Sequence, residues 1–332
     1  MPDGRRSGRL GRLRGVVGWV DPLVAMVVGV LVLGLLVPVS GAAADVVGAV
    51  TTGAIVVLFF LYGARMPTRE VIAGLRNWRL QGSMLAATFL LFPVLGLAVQ
   101  LVPDAVLAPE LQTGLLYLSL LPSTVQSSVV FTSVARGNVA GAITGATISN
   151  VVGIVATPLL VALLMGGTPG AMGLGSVTGI LLQLLLPFVV GQLLEPRLGR
   201  WLRTHTRLTR VTDRTTILLV AYSSVSEAQT SGAWDHVTVP ALVGLLVVSG
   251  VLLAVMLTTT WWAGGRLRLA RGDRVALLMC GSKKSLATGL PMAAVLFNPV
   301  LAATVALPVI AFHQLQLLVC AGIARRLARS VG

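Results

Sequence analysis

The chain has 332 residues, of which 55% are hydrophobic and only 11% are charged, and its mean hydropathy is +0.91. This leaves too little polar surface to cover a water-soluble domain of that size, which excludes a soluble enzyme. The formal net charge of +14 does not indicate nucleic-acid binding, because the basic residues are spread over the connections between apolar runs and do not share one folded face. The composition predicts a protein of the lipid bilayer.

Ten apolar runs approach the length of about 20 helical residues that crosses a hydrocarbon core. They lie at 21–39, 45–64, 81–102, 111–135, 138–165, 175–194, 215–234, 238–262, 274–297 and 298–321. A glycine-rich connection at 166–175 divides them into two sets of five. The runs predict an all-α integral membrane protein with ten transmembrane helices. Residues 21–165 and 166–323 would form two five-helix repeats between short basic termini, 1–20 and 324–332.

The arginines predict the orientation in the membrane. Two of the 25 basic residues are lysines, and the other 23 are arginines that all fall on one side when the amino terminus is placed in the cytoplasm. We therefore expect a multi-pass protein of the bacterial inner or plasma membrane with both termini cytoplasmic. A cleaved signal peptide is the alternative for the first run, because basic residues and small residues at 42–44 flank it. Cleavage would leave nine spans, which does not fit the arginine pattern.

Five helices per half place the second half in the membrane upside down relative to the first, as in the inverted repeats of many secondary transporters. The best match between the halves sets 123–127, in the fourth run, beside 281–285, in the ninth. Both stretches are polar at mid-span, and Pro122 and Gly281 allow each helix to break there. Since unwound backbone at that depth must lie inside protein or beside a cavity, two crossing broken helices predict a binding site. The structural alternative is that the hydroxyl groups only bend their own helices.

The only two lysines, Lys283 and Lys284, are adjacent and deep in the ninth run. They lie about 15 Å from the cytoplasmic Arg274 at 1.5 Å per residue, where an ionised side chain costs roughly 2.5–3.5 kcal/mol. Such a lysine could be a counter-ion for an anionic substrate, a substitute for a bound metal cation, or a proton carrier. A structural ion pair with Glu227, in the seventh run, is the alternative.

The two lysines are not expected to be equivalent, because adjacent side chains point in different directions. Lys284 aligns with Gln126 in the repeat, so we expect it to face the crossing point of the two broken helices. Lys283 would then bind Glu227 or the carboxyl end of a helix.

Further polar side chains complete the predicted substrate and ion site. They are Ser282, Ser285, Gln126, Ser127, Ser128, Asn150, His313 and Gln316. His313 and Gln316 lie one turn apart, and we expect hydrogen bonds between helices from them rather than catalysis. Glu227 is predicted either as a proton or cation site or as a lysine partner. The sequence contains no nucleophile–base pair, metal cluster or phosphate loop, so no catalytic residue, resident metal or cofactor is predicted. Sodium and protons are the candidate coupling ions.

Four motifs carry a family resemblance. They are Pro-Ser-Thr-Val-Gln-Ser-Ser at 122–128, Ala-Arg-Gly-Asn at 135–138, Gly-Ser-Lys-Lys-Ser-Leu-Ala at 281–287 and Phe-His-Gln-Leu-Gln at 312–316. Together they resemble the bile acid:sodium symporter superfamily, and most closely its SBF-like branch, which includes solute carrier family 10 member 7 and many bacterial proteins. The resemblance implies a ten-helix inverted repeat with a panel domain and a core domain, in which helices four and nine cross where they unwind. It also implies transport of organic anions with sodium.

The chain departs from that family pattern at the expected sodium site. The resemblance implies a glutamate at the ninth-helix break, where this chain has Cys280 or its neighbours followed by the two lysines, and two hydroxyl positions of the fifth helix correspond to Ala142 and Ala146. An ammonium group repels sodium. The sequence therefore predicts a secondary transporter for a small organic anion that works by alternating access, with lysine or proton coupling in place of sodium. A membrane regulator or scaffold that keeps the fold without moving a substrate is the alternative.

Overall fold

The protein is described by a computed structural model that covers residues 22–69, 72, 76–168, 177–232 and 238–330. The predicted basic amino terminus at 1–20 and most of the glycine-rich connection at 166–175 lie outside these residues, and so does the basic part of the alternative signal peptide.

The described residues form α-helices with two π-helical segments and no β-strand. The first half contains α1 (Pro22–Leu36), α2 (Ala42–Arg65), α3 (Trp78–Ala86), π1 (Ala87–Leu91), α4 (Phe92–Val99), α5 (Pro109–Ser119), α6 (Gln126–Val134) and α7 (Val139–Leu164). The second half contains α8 (Val177–Leu194), π2 (Glu195–Gly199), α9 (Arg200–Thr204), α10 (Thr206–Ser231), α11 (Val239–Arg266), α12 (Arg271–Gly281), α13 (Leu286–Leu296) and α14 (Pro299–Arg329). The all-helical prediction is confirmed.

The outside of the helix bundle is suited to lipid. Six helical stretches among the described residues are long and apolar enough to cross a membrane: Ala42–Arg65, Trp78–Val99, Val139–Leu164, Gly179–Thr204, Val239–Arg266 and Pro299–Arg329. Large apolar side chains such as Leu36, Leu101 and Leu193 point outward, and Leu101 is 84% exposed. An exposed apolar surface of this extent favours contact with lipid over contact with water. The chain is a multi-pass membrane protein.

The helices pack in two groups. In the first helix group, α8 packs on α2, and α10 packs on α1 and α2. In the second helix group, which comprises α3 to α7 and α11 to α14, α12 packs on α3, α6, α7 and α11, while α14 packs on α5 and α13. The groups meet where α10 contacts α13 and α14 and where α8 contacts α7.

Helices α2 and α8 approach so closely that their backbones touch. A Cβ atom added at Gly63 would lie 1.9 Å from the carbonyl oxygen of Phe188, and one added at Gly191 would lie 2.0 Å from that of Phe60. Small residues at such crossings allow close packing in membranes, where van der Waals contact drives helix association. The two glycines therefore set the distance between these helices.

Gly191→Ala is expected to lower the free energy of unfolding by about 3 kcal/mol, the upper end of the usual range for overpacking, because the new methyl group meets backbone that cannot turn away. Thermal unfolding in detergent measures the change. Gly179→Ala, on the same helix with nothing within 4 Å of the added Cβ atom, is the matched control and should melt like the parent. Equal melting temperatures for the two variants would contradict the prediction.

One carboxylate joins the amino ends of α3, α7 and α12. Asp273, in the first turn of α12, accepts hydrogen bonds from the side-chain amides of Asn77 at 2.9 Å and Asn138 at 2.6 Å. Each asparagine also caps its own helix, since its side-chain oxygen accepts from the backbone N–H of Leu80 or Gly141. Asn138 closes the Ala-Arg-Gly-Asn motif, so the cluster gives that motif a role in fixing three helices of the second helix group.

Candidate functional site

The break between α5 and α6 contacts the break between α12 and α13. The hydroxyl of Ser123 donates a hydrogen bond to the carbonyl of Cys280 at 2.5 Å. The backbone N–H of Ser285 donates to the carbonyl of Pro122 at 2.9 Å. The structure thus brings together the two polar stretches that the sequence places at equivalent positions in its halves.

The backbone carbonyls at 119–123, where α5 ends and the first break begins, have donors from other segments. A broken helix leaves carbonyl groups without partners, which is costly in a membrane unless protein satisfies them. Here each carbonyl at 119–123 accepts a hydrogen bond, and the donors are the side chains of Lys284, Thr157 and Asn150 and the backbone N–H of Ser285. The hydroxyl groups do not simply bend their own helices, since Ser123 and Ser128 bond across to α12.

Lys284 uses all its hydrogens on backbone carbonyls. Its Nζ atom lies 2.8 Å from the carbonyl oxygen of Thr88 and 2.7 Å from those of Ser119 and Leu121, and the residue is 1% exposed. Thr88 belongs to π1, where the regular helical hydrogen-bond ladder is interrupted and a carbonyl can bond elsewhere. The Phe92 ring covers the ammonium, with its centroid 4.3 Å away. Three carbonyl dipoles thus enclose a fixed positive charge.

Gln316 holds the backbone of the same lysine. Its Oε1 atom accepts from the N–H of Lys284 at 2.9 Å, and its Nε2 atom donates to the carbonyl of Lys284 at 2.8 Å. Gln316 Nε2 also lies 2.8 Å from Nδ1 of His313, one turn away. Gln316 thus joins α14 to the second break, whereas its contact with His313 lies within α14.

Lys283 lies in different surroundings. Its Nζ atom is 3.5 Å from the hydroxyl of Ser127 and 4.5 Å from the centroid of the Phe131 ring, and the residue is 0% exposed. The predicted assignment is therefore reversed: Lys283 lies at the crossing point beside Ser127, and Lys284 binds the carboxyl end of α5. The repeat alignment misassigned them because the direction of each side chain depends on the unwound backbone, which alignment does not show.

Glu227 does not pair with either lysine. It is half-buried on α10, and the ion pairs within the described residues are Arg65 with Asp213 and Arg203 with Glu195. Helix α10 belongs to the first helix group, whereas both lysines lie in the second. The ion pair that charge alone suggested is therefore not formed.

A cavity of about 1310 Å³ lies between the two helix groups. Its deep end is formed by predicted site residues, namely Gln126, Ser127, Asn150, Ser285 and His313. Four aromatic side chains form much of its walls, namely Phe59, Tyr62, Phe131 and Phe188. Other predicted site residues lie behind the wall, in the second helix group: Ser128, Ser282, Lys283, Lys284 and Gln316. Ser282 bonds to the carbonyl of Leu278 in its own helix.

The mouth of the cavity is strongly basic. Five guanidinium groups line it, on Arg65, Arg203, Arg210, Arg214 and Arg325. Along α14 the mouth is about 18 Å from His313 at the deep end, at 1.5 Å per residue. Clustered positive charge around a low-dielectric cleft concentrates anions there.

Asp213 is the carboxylate at this mouth. Its Oδ2 atom is 3.7 Å from Nη1 of Arg65, too long for a hydrogen bond, and its Oδ1 atom is buried without a hydrogen-bond donor among the described residues. Burial raises the pKa of Asp213 from 3.8 to about 6, although the charge of Arg65 acts in the opposite direction. The carboxyl group therefore changes charge near neutral pH.

Asp213→Asn is expected to reduce the pH dependence of stability. The folded carboxyl binds its proton more tightly than the unfolded one, so its contribution to stability is complete below about pH 4 and is lost as the pH rises through about 6. As the pH rises through this range, the melting temperature of Asp213→Asn should fall less than that of the parent. Asp45→Asn, which changes an exposed carboxyl at the start of α2, is the control and should keep the parent's profile. Identical profiles for Asp213→Asn and the parent would contradict the prediction.

Several residues of the site were not singled out from the sequence. Thr88 contributes only a backbone carbonyl, which no side-chain pattern reveals. Phe131 looks like one more apolar residue of the fourth run, and Asp213 like a charge in a basic loop. The only sequence signal for Asp213 is that it is acidic among arginines.

A helical membrane protein whose internal cavity ends at two crossed helix breaks is built as a solute transporter. The chain belongs to the SBF-like CPA transporter family, whose sequence model matches residues 21–329. This confirms the resemblance drawn from the four motifs, and the family is one of transporters, not of enzymes.

Individual relatives agree with this assignment. The chain is 43% identical to Uncharacterized protein PA2026 of Pseudomonas aeruginosa, over 93% of each chain. It is 41% identical to Putative symporter YfeH of Escherichia coli K12, again over 93% of each chain. It is 25% identical to Sodium/bile acid cotransporter 7 of Rattus norvegicus, over 80% of this chain and 79% of that one.

Proposed function

We propose that the protein is a secondary transporter that moves a small organic anion across a bacterial cell membrane by alternating access. The observation that carries the proposal is the cavity, which runs from a mouth of five arginines to the two crossed breaks. Its basic mouth would attract an anion, its aromatic walls would hold an apolar body, and its polar deep end would bind the head group.

The helices support an arrangement of ten spans in two inverted repeats. The first repeat would be α1, α2, α3 with π1 and α4, α5 with α6, and α7. The second would be α8 with π2 and α9, α10, α11, α12 with α13, and α14. In each set the fourth span is the one that non-helical residues divide into two helices. With the arginines in the cytoplasm, the cavity would open inward.

The position of Lys284 supports transport that does not require sodium. Its ammonium sits among three carbonyl oxygens at 2.7–2.8 Å, the kind of oxygen cage that a small hard cation would otherwise need at a broken helix. Because this cation is part of the chain, it would compensate the carbonyl dipoles at the break throughout the transport cycle. The rat relative is named as a cotransporter of sodium and bile acid, so an amphipathic organic anion is the substrate class to test first. We expect its transport here not to require sodium.

Uptake into proteoliposomes tests the proposal. Radiolabelled taurocholate and benzoate are offered in sodium chloride or in choline chloride of equal ionic strength, with protein-free vesicles as the control. Saturable, protein-dependent uptake that is equal in the two salts is expected. Uptake that needs sodium would overturn the coupling role of Lys284. An absence of both uptake and binding across a wide set of anions would favour the regulator or scaffold.

A further inference from the structure

Lys283 is a buried cation with far fewer bonds than its neighbour. Lys284 donates three hydrogen bonds at 2.7–2.8 Å, whereas Lys283 has one hydrogen bond of 3.5 Å in the described part of the chain. The thiols of Cys280 and Cys320 lie near enough to act on it electrostatically, but thiols are weak acceptors and neither is hydrogen-bonded to it. Buried polar groups normally have partners, so two unused ammonium hydrogens call for an acceptor that this conformation lacks.

The ring of Phe131 stands between this ammonium and the cavity. Phe131 and Ser127 both line the cavity, and Lys283 lies directly behind them, with Nζ 3.5 Å from Ser127 Oγ and 4.5 Å from the ring centroid. A cation–π contact is weaker than a charge-assisted hydrogen bond to an anion. Phe131 is only half-buried on α6, which leaves space on its cavity side.

Two side chains at the deep end, Asn150 and Ser127, already use their hydrogens. Asn150 donates both of its amide hydrogens, to the carbonyls of Ser123 and Ala146, and Ser127 donates to the hydroxyl of Thr124. These two side chains therefore present oxygen acceptors, which do not bind an anionic head group. Lys283, next to Ser127, is a cation that still has hydrogens to donate.

We propose that Lys283 is the anion-binding group of the transport site and that the Phe131 ring is the shutter that covers it. Rotation of the ring about its Cα–Cβ bond opens a path beside Ser127, and a carboxylate or sulfonate then exchanges the cation–π contact for an ion pair with Nζ. The ligand class is a monoanion with an apolar body, since Phe59 and Phe188 form the walls beyond the head group. This inference rests on the proposed function and names the group that binds the substrate.

The two lysines allow a direct test, because trinitrobenzenesulfonate is an anion that reacts with amines and the chain contains no other lysine. The purified full-length protein is treated at mildly alkaline pH, and modification at each lysine is followed by peptide mass spectrometry. Phe131→Ala is expected to raise the rate of modification at Lys283 about tenfold. This corresponds to a decrease of about 1.4 kcal/mol in the free energy of exposing the amine to the reagent. Lys284 should stay unmodified, and Lys283→Met should remove the signal.

Phe60→Ala is the matched control, because it removes a half-buried phenylalanine that neither lines the cavity nor contacts a lysine among the described residues. It should leave the rate at Lys283 unchanged. Phe131→Val makes the same test with a smaller truncation if the alanine variant does not fold. Equal rates in the parent and the folded Phe131 variant, or an equal rise in Phe60→Ala, would overturn the shutter.

Binding of the anion is separated from mere access by the concentration dependence. In Phe131→Ala the rate should saturate with trinitrobenzenesulfonate and be slowed by benzenesulfonate, whereas uncharged dinitrofluorobenzene should react without saturation. Linear kinetics for the sulfonate would overturn the anion site. Saturable labelling without any anion uptake would refute the proposed transport but would still support the anion site at Lys283. Anion uptake without saturable labelling would support the proposed transport and refute the anion site.

Discussion

Lys284→Met is expected to lower the free energy of unfolding by about 3–5 kcal/mol, since three buried carbonyls lose their donor at about 1–3 kcal/mol each, partly offset by removal of a buried charge. Thermal unfolding in detergent measures the loss. Lys283→Met is the control, because it gives up one long hydrogen bond and should cost less than about 1 kcal/mol. Similar losses for the two lysines would mean that the carbonyl cage does not stabilise the crossing point.

The same cage predicts a sodium effect that the parent lacks. Lys284→Ala leaves three carbonyl oxygens facing an empty space, and oxygen ligands at such distances suit a small cation. Sodium chloride should raise the melting temperature of Lys284→Ala above its value in choline chloride, and should leave the parent unchanged. If sodium raised the melting temperature of the parent as much as that of Lys284→Ala, the idea that Lys284 takes the place of a metal cation would be wrong.

Lys283→Met is expected to reduce anion uptake at least about tenfold, the effect of losing an interaction of about 1.4 kcal/mol, with little change in melting temperature. The physical reason is that methionine keeps most of the volume beside Ser127 and Phe131 and removes the charge. Uptake of benzoate into proteoliposomes measures the effect. Ser282→Ala is the matched control in the same unwound segment, because its hydroxyl donates to the carbonyl of Leu278 and the residue does not line the cavity, and it should transport like the parent. Parental uptake by Lys283→Met would remove the lysine from the mechanism.

The sequence predicts the helices and their breaks well for physical reasons. Apolar runs of membrane length and polar stretches beside Pro122 and Gly281 determine them locally, and the structure interrupts both helices at those stretches. The internal match between 123–127 and 281–285 also predicts that the breaks meet. The helices, their breaks and the match between the halves can be predicted because each depends on the residues of a short, local segment.

The partners of the charged groups were harder to predict. Charge complementarity suggested Glu227 for a lysine, but the packing of α10 in the first helix group separates them. Lys284 instead binds carbonyls, and backbone groups carry no signal in a sequence because every residue has one. The raised pKa of Asp213 depends on burial at the boundary of the two helix groups, which only the assembled fold produces.

The bonds of Lys284 also have a mechanical consequence. They tie π1, the carboxyl end of α5 and the unwound segment before α13 into one rigid frame, and Gln316 adds α14 to it. Bistable proteins change shape by moving packed units against each other rather than by deforming them. The frame would therefore travel as a single piece, with the seam between α10 and α13–α14 as the sliding surface. Slow amide hydrogen exchange within the frame and faster exchange along that seam are the signature of such a motion.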